Sequence, residues 1–117
     1  MANIENRRNL QFGKAREKES MSEHTGGGKI GKMSSSWPFG KLTIQNEGIT
    51  VSIGIQKVRL KRENIKSILF KKGLINSKFA FVHDDNTIKQ DIEYWTFSSA
   101  TVASDLKAQG YVVTESR

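Results

Sequence analysis

Ile49-Thr50-Val51-Ser52-Ile53-Gly54-Ile55 sets a β-branched residue at every second position and a small or hydroxylated residue at each position between. Only a strand puts positions i and i+2 on one face, so the stretch predicts Ile49, Val51, Ile53 and Ile55 inward and Thr50, Ser52 and Gly54 outward. Just before it, Lys41-Leu42-Thr43-Ile44-Gln45 alternates in the same way, and Asn46-Glu47-Gly48 is turn composition. Together they predict a hairpin. After it, Val58 and Leu60 face one way while Lys57, Arg59 and Lys61 face the other, as a half-buried strand requires.

The pattern continues towards the C-terminus. A corner at Glu63 or Asn64 leads to strands over Ile65–Lys71, Lys78–His83 and Asp91–Phe97, and Asp84-Asp85-Asn86 carries the side chains that cap a turn. Ser98 and Ser99 suit a helix N-terminus, and Ala100–Gln109 places Val102, Ala103 and Leu106 on one helical face with Lys107 in the last turn. Gly110 stops the helix, and Tyr111-Val112-Val113 returns as an extended piece. A run of strands followed by one helix must hide a single apolar face. The expected fold class is therefore mainly β (α+β), a small orthogonal β-sandwich or half-open barrel of about six to seven antiparallel strands capped by the C-terminal helix.

Residues 1–36 read differently. Apolar residues are sparse and without steady period, and Gly26-Gly27-Gly28 and Ser34-Ser35-Ser36 are linker composition. This segment is expected to be a disordered basic arm, with at most a transient helix over Asn9–Ser20, and residues 37–117 to be the folded domain.

Within that domain, Phe39-Gly40-Lys41-Leu42, Gly48-Ile49, Arg62-Glu63-Asn64-Ile65-Lys66-Ser67-Ile68, Tyr94-Trp95-Thr96-Phe97 and Leu106-Lys107-Ala108-Gln109-Gly110-Tyr111 resemble the short bacterial pleckstrin-homology-like domains, related in shape to the GRAM group. The resemblance covers residues 37–113 and implies two near-orthogonal sheets with a C-terminal helix over one open end. That scaffold serves lipid, peptide and protein recognition alike, so function does not follow from it. Phosphoinositide-binding members carry spaced basic residues at the first hairpin loop. Here that loop reads Gln45-Asn46-Glu47-Gly48 and contains an acid.

Composition narrows the function classes. The chain has 117 residues, no cysteine and a net charge of +7, with an excess of +3 up to Ser36 and +4 after it. A disulfide framework and a thiolate zinc site are excluded, and a reducing, cytoplasmic setting is expected. The N-terminus lacks a signal peptide's apolar region, and no apolar run approaches the roughly 20 residues that span a bilayer. A positive balance suits polyanionic partners.

The motifs that suggest chemistry have simpler readings. Gly26-Gly27-Gly28-Lys29-Ile30-Gly31-Lys32-Met33 approaches a phosphate-binding loop, but Met33 stands where the metal-binding Ser or Thr belongs. His83, Asp84, Asp85, Asp91 and Glu93 lack metal-site spacing and read as a strand end with a solvated turn. No nucleophile stands in a recognisable context, so an enzyme and a cofactor are not expected. Trp37, Phe39, Phe79, Phe81, Tyr94, Trp95 and Phe97 are expected mostly to fill the core, with base stacking as the alternative. The strongest signal is basic: Lys57, Arg59, Lys61, Arg62, Lys66, Lys71, Lys72 and Lys78 are opposed in their span only by Glu63. They form the candidate anion or partner surface.

The resulting expectation is a non-enzymatic binding module for a protein or peptide partner or an anionic surface such as lipid headgroups. One alternative is a sequence-nonspecific nucleic-acid binder, aided by Arg7, Arg8, Lys14 and Arg16 of the arm. Another is a structural subunit that pairs through an exposed strand edge.

Overall fold

A computed structural model describes residues 21–115. In chain order it contains β1 (Ser22–Ile30), β2 (Met33–Ile44), β3 (Gly48–Ile53), β4 (Gln56–Lys61), β5 (Ile65–Lys71), β6 (Ser77–His83), β7 (Ile92–Thr96), α1 (Ser99–Ala108) and β8 (Val113–Glu115). The strands form one sheet in the order β4-β3-β2-β1-β7-β6-β5-β8, antiparallel except where β8 runs parallel to β5.

That order and the chain connections together require curvature. β4 and β5 lie six strand steps apart, roughly 29 Å across a flat sheet. Only the 3₁₀ turn Arg62–Asn64 joins them, and a connector of that length spans at most roughly 15 Å. The sheet must therefore curl until its two ends approach. Its concave face collects the inward residues of the strands, among them Leu42, Ile44, Val51, Leu60, Ile68 and Tyr94, all fully buried. Val102 and Leu106, one turn apart on α1, complete this core.

The helix ends as its sequence indicates. Gly110 takes φ of +88°, its N–H donates to the Lys107 carbonyl at 2.9 Å, and the Tyr111 N–H donates to the Leu106 carbonyl at 3.0 Å. This is the closed cap that glycine makes easily. At the other end Ser98 holds the N-cap position without a side-chain capping bond. Its N–H donates instead to Thr96 Oγ1 at 2.9 Å.

The boundary expected at residue 36 does not hold where it is described, and the described residues hold eight strands. Residues 22–30 form β1, an interior strand between β2 and β7, and β2 begins at Met33. The glycines are structural: a Cβ on Gly27 would lie 2.6 Å from the Ser35 carbonyl oxygen, and one on Gly26 or Gly28 would strike the β7 backbone. Glycine lets backbones approach that closely. The Asn9–Ser20 helix and the arm's Arg7, Arg8, Lys14 and Arg16 lie outside the described residues.

Two inward assignments also change. Ile55 is 93% exposed, because the β3–β4 hairpin turns at Gly54 and Ile55 and the alternation stops at Ile53. On β7 the inward residues are Ile92, Tyr94 and Thr96, so Trp95 is half-buried on the outer face.

Candidate functional site

The break in β2 creates the first part of the site. Gly26 pairs with Gly40 and Gly28 with Ser35, so the single residue Gly27 faces the four residues 36–39. With no ladder partners that segment bulges outwards. Pro38, which lacks an N–H, is at home there. Trp37 and Phe39 consequently stand 57% and 67% exposed.

The second part is a row across the outer face. Gly27 of β1 pairs with Trp95 of β7, Trp95 with Lys78 of β6, and Lys78 with Lys71 of β5. Gly27 presents no side chain beside the indole of Trp95. A hollow of about 240 Å³ opens there, lined by Gly27, Ser36, Trp37, Asn76, Trp95 and Phe97 among others. On the other flank of Trp95 lies a second hollow of about 410 Å³, walled by Lys71, Lys72, Gly73, Asn76 and Lys78. Trp95 and Asn76 belong to both, so the two hollows adjoin across these side chains and are taken together as a groove.

The β5–β6 loop borders this groove through Lys72, Gly73 and Asn76. Gly73 donates its N–H to Ser77 Oγ at 3.3 Å, which fastens the base of the loop. Leu74 and Ile75 project from the tip with essentially complete and 82% exposure. Lys78 lies 3.7 Å from Glu93, whereas Lys71 and Lys72 have no carboxylate within ion-pair distance among the described residues.

The structure divides the predicted basic span into groups with different roles. Lys57, Arg59 and Lys61 point outwards along the edge strand β4, and Arg59 Nη1 donates to Gln45 Oε1 at 3.1 Å. Charged side chains on such an edge discourage pairing with other chains. Lys66 is paired with Asp84 at 2.9 Å. Arg62 acts as a clasp: its Nη1 donates to the Asn46 and Gln109 carbonyls at 2.9 and 2.8 Å, and its guanidinium lies 4.5 Å from the centre of the Tyr111 ring. Only Lys71, Lys72 and Lys78 join the aromatic groove.

The acidic turn is stabilised locally. Asp85 Oδ1 accepts from the Thr87 N–H at 3.0 Å and from the Thr87 hydroxyl at 2.6 Å, and these bonds hold its carboxyl below the usual range. The Asp85 N–H donates to His83 Nδ1 at 3.2 Å. This is the turn chemistry that the sequence implied.

Of the seven aromatics named from the sequence, Phe79, Phe81 and Tyr94 are buried. Trp37, Phe39 and Phe97 are exposed, and Trp95 is half-buried. Burial raises the Tyr94 phenol to about 12. Its hydroxyl meets no partner at full hydrogen-bond geometry among the described residues, and the neighbouring Thr96 hydroxyl offsets only part of that rise.

Among the described residues no helix is long and apolar enough to cross a membrane. The chain matches no protein-family model, and no curated protein matches its sequence.

Proposed function

We propose that the chain is a non-enzymatic binding module of pleckstrin-homology-like fold, and that it engages an anionic partner surface through the groove around Trp95. The fold reading is supported by the curled sheet and by the one helix among the described residues, which packs on its core. The absence of cysteine suits a cytoplasmic module.

One observation carries the functional reading. Two tryptophans and Phe97 line a groove whose far wall is three lysines, two of them without a carboxylate partner among the described residues. Exposed aromatic area is poorly solvated, and clustered ammonium groups repel one another. An anion covered by apolar surface relieves both at once. The basic residues of β4 lack the aromatic component, since Lys57, Arg59 and Lys61 pair with Ser52, Thr50 and Gly48.

The experiment is the triple substitution Lys71→Gln, Lys72→Gln, Lys78→Gln in the full chain. Binding is measured at low salt to phosphatidylserine-containing vesicles and to random oligonucleotides. A loss of about fivefold per lysine is expected on an anionic lipid surface. The control Lys57→Gln, Arg59→Gln, Lys61→Gln is expected to bind as the wild type does. The reverse pattern would move the site to β4, and no binding to either polyanion would dismiss the reading.

A further inference from the structure

We infer that the partner surface is a lipid bilayer, and that the β5–β6 loop enters it with Leu74 and Ile75 as an apolar wedge; this rests on the reading of the groove as an anion-binding site. Leu74 and Ile75 are adjacent, essentially free of contact with the rest of the domain, and at the tip of a hairpin. Two neighbouring aliphatic side chains held in water are unfavourable, and nothing among the described residues covers them. Lys71 and Lys72 precede the tip and Lys78 follows it.

The spacing matches the layers of a membrane surface. From Lys71 to Leu74 the chain reaches no more than roughly 10 Å. Apolar groups of interfacial segments sink about 5–10 Å below the headgroups, so the lysines would sit at phosphate level when the tip lies among the upper acyl segments. Trp37, Trp95 and Phe97 stand at the base of the loop, where tryptophan rings favour the headgroup boundary. A membrane explains aliphatic tip, basic collar and aromatic base together. A single-stranded nucleic acid would use the aromatics and lysines but has no need of Leu74 and Ile75.

The charge also fits. Lys71 and Lys72 are exposed and unpaired by acids among the described residues, and Glu93 lies beside Lys78, back from the tip. The occupant is thus an anionic bilayer surface, recognised by surface charge and apolar penetration. The loop between Gln45 and Gly48, with its acid Glu47, takes no part.

The chain's two tryptophans, Trp37 and Trp95, both line the groove, so intrinsic fluorescence reports on it directly. The test uses the full chain with vesicles of phosphatidylcholine and phosphatidylserine, pure phosphatidylcholine vesicles, and random single-stranded oligonucleotides. The expected result is co-sedimentation with the mixed vesicles, a blue shift of emission, and quenching by lipids brominated on the acyl chains. Leu74→Ser with Ile75→Ser should weaken vesicle binding roughly tenfold or more, since each side chain loses its apolar burial, and leave the thermal midpoint unchanged.

Equal vesicle binding by this double variant would overturn the wedge. Binding to oligonucleotides but not vesicles, weakened by the lysine substitutions, would overturn the bilayer as partner while preserving the anion-binding groove. Binding to neither would overturn both. Should the double variant unfold, brominated-lipid quenching of the wild type decides: quenching supports insertion and its absence overturns it.

Discussion

Removing residues 1–36 should abolish folding, although every strongly alternating stretch of the sequence lies beyond that point. The cut deletes β1, which has eight register pairs with β2 and four with β7. At roughly 1 kcal/mol net for each hydrogen bond, about one per pair, the ladders alone contribute on the order of 10 kcal/mol. Ile30, 2% exposed, adds about 2 kcal/mol of burial. A domain of this size is stable by about 5–14 kcal/mol in total. The loss therefore matches or exceeds the whole stability, and β2 and β7 are left with unpaired inner edges. Removing residues 1–20 instead keeps every element described above. The assay is urea unfolding of both truncations by far-ultraviolet circular dichroism and by tryptophan emission, since Trp37 and Trp95 survive in each. A fragment 37–117 that unfolds cooperatively at the full chain's midpoint would refute the role of β1 as an interior strand.

Other outcomes follow from neighbouring residues. Tyr94→Ala should cost about 3–5 kcal/mol through the cavity it leaves, whereas Trp95→Ala, whose side chain borders an open groove, should cost less by thermal melting and weaken vesicle binding. The buried Tyr94 phenol titrates near 12 in the fold against about 10 unfolded, so the unfolded chain loses its proton first. Its contribution to stability is complete below about pH 10 and declines as pH rises towards 12, by about 1.4 kcal/mol per pH unit in that window. In Tyr94→Phe that decline should be missing, and at neutral pH its urea midpoint should fall little, because the hydroxyl makes no fully formed hydrogen bond that could be lost. Arg62→Ala should cost about 1–3 kcal/mol by releasing the Asn46 and Gln109 carbonyls and the Tyr111 ring while leaving anion binding intact; reduced binding with an unchanged midpoint would instead make Arg62 a contact residue.

The fold was legible where apolar residues alternate within the strands, Ile55 at the β3–β4 turn being the exception. Leu42 and Ile44, Ile49 to Ile53, and Leu60 all face the core as their spacing requires, and α1 ends at Gly110 as the glycine indicates. β1 was hidden because its sequence Ser22–Ile30 has a single large apolar residue, Ile30. Its middle positions are glycines, since the β7 backbone lies too close for a Cβ on Gly26 or Gly28 and the β2 backbone for one on Gly27. Strand interiors made of glycine resemble linkers in composition and are distinguished only by what surrounds them. β8 was partly hidden for another reason. Its three residues pair parallel to β5, and a parallel partner is set by the path of the preceding helix rather than by a local pattern.

The site was only half legible, and the two halves failed in opposite ways. The outward position of Trp95 was present in the sequence: Glu93 must face water, and a period of two then carries Trp95 and Phe97 to the same face. The expectation that most of the aromatics fill the core concealed it. Trp37, by contrast, owes its exposure to the four-residue bulge opposite Gly27, and that mismatch exists only once β1 and β2 are paired. The basic span misled because nearness along the chain is not nearness on a curled sheet. Lys57 and Lys71 lie at the ends of β4 and β5 remote from the turn that joins these strands, and Arg62 between them is held by backbone carbonyls. What gathers Lys71, Lys72 and Lys78 is a hairpin, and what brings them to Trp95 and Trp37 is cross-strand register. A groove assembled from β1, β2, β5, β6 and β7 has no linear signature beyond the alternation of each strand, so its chemistry emerges at the level of pairing.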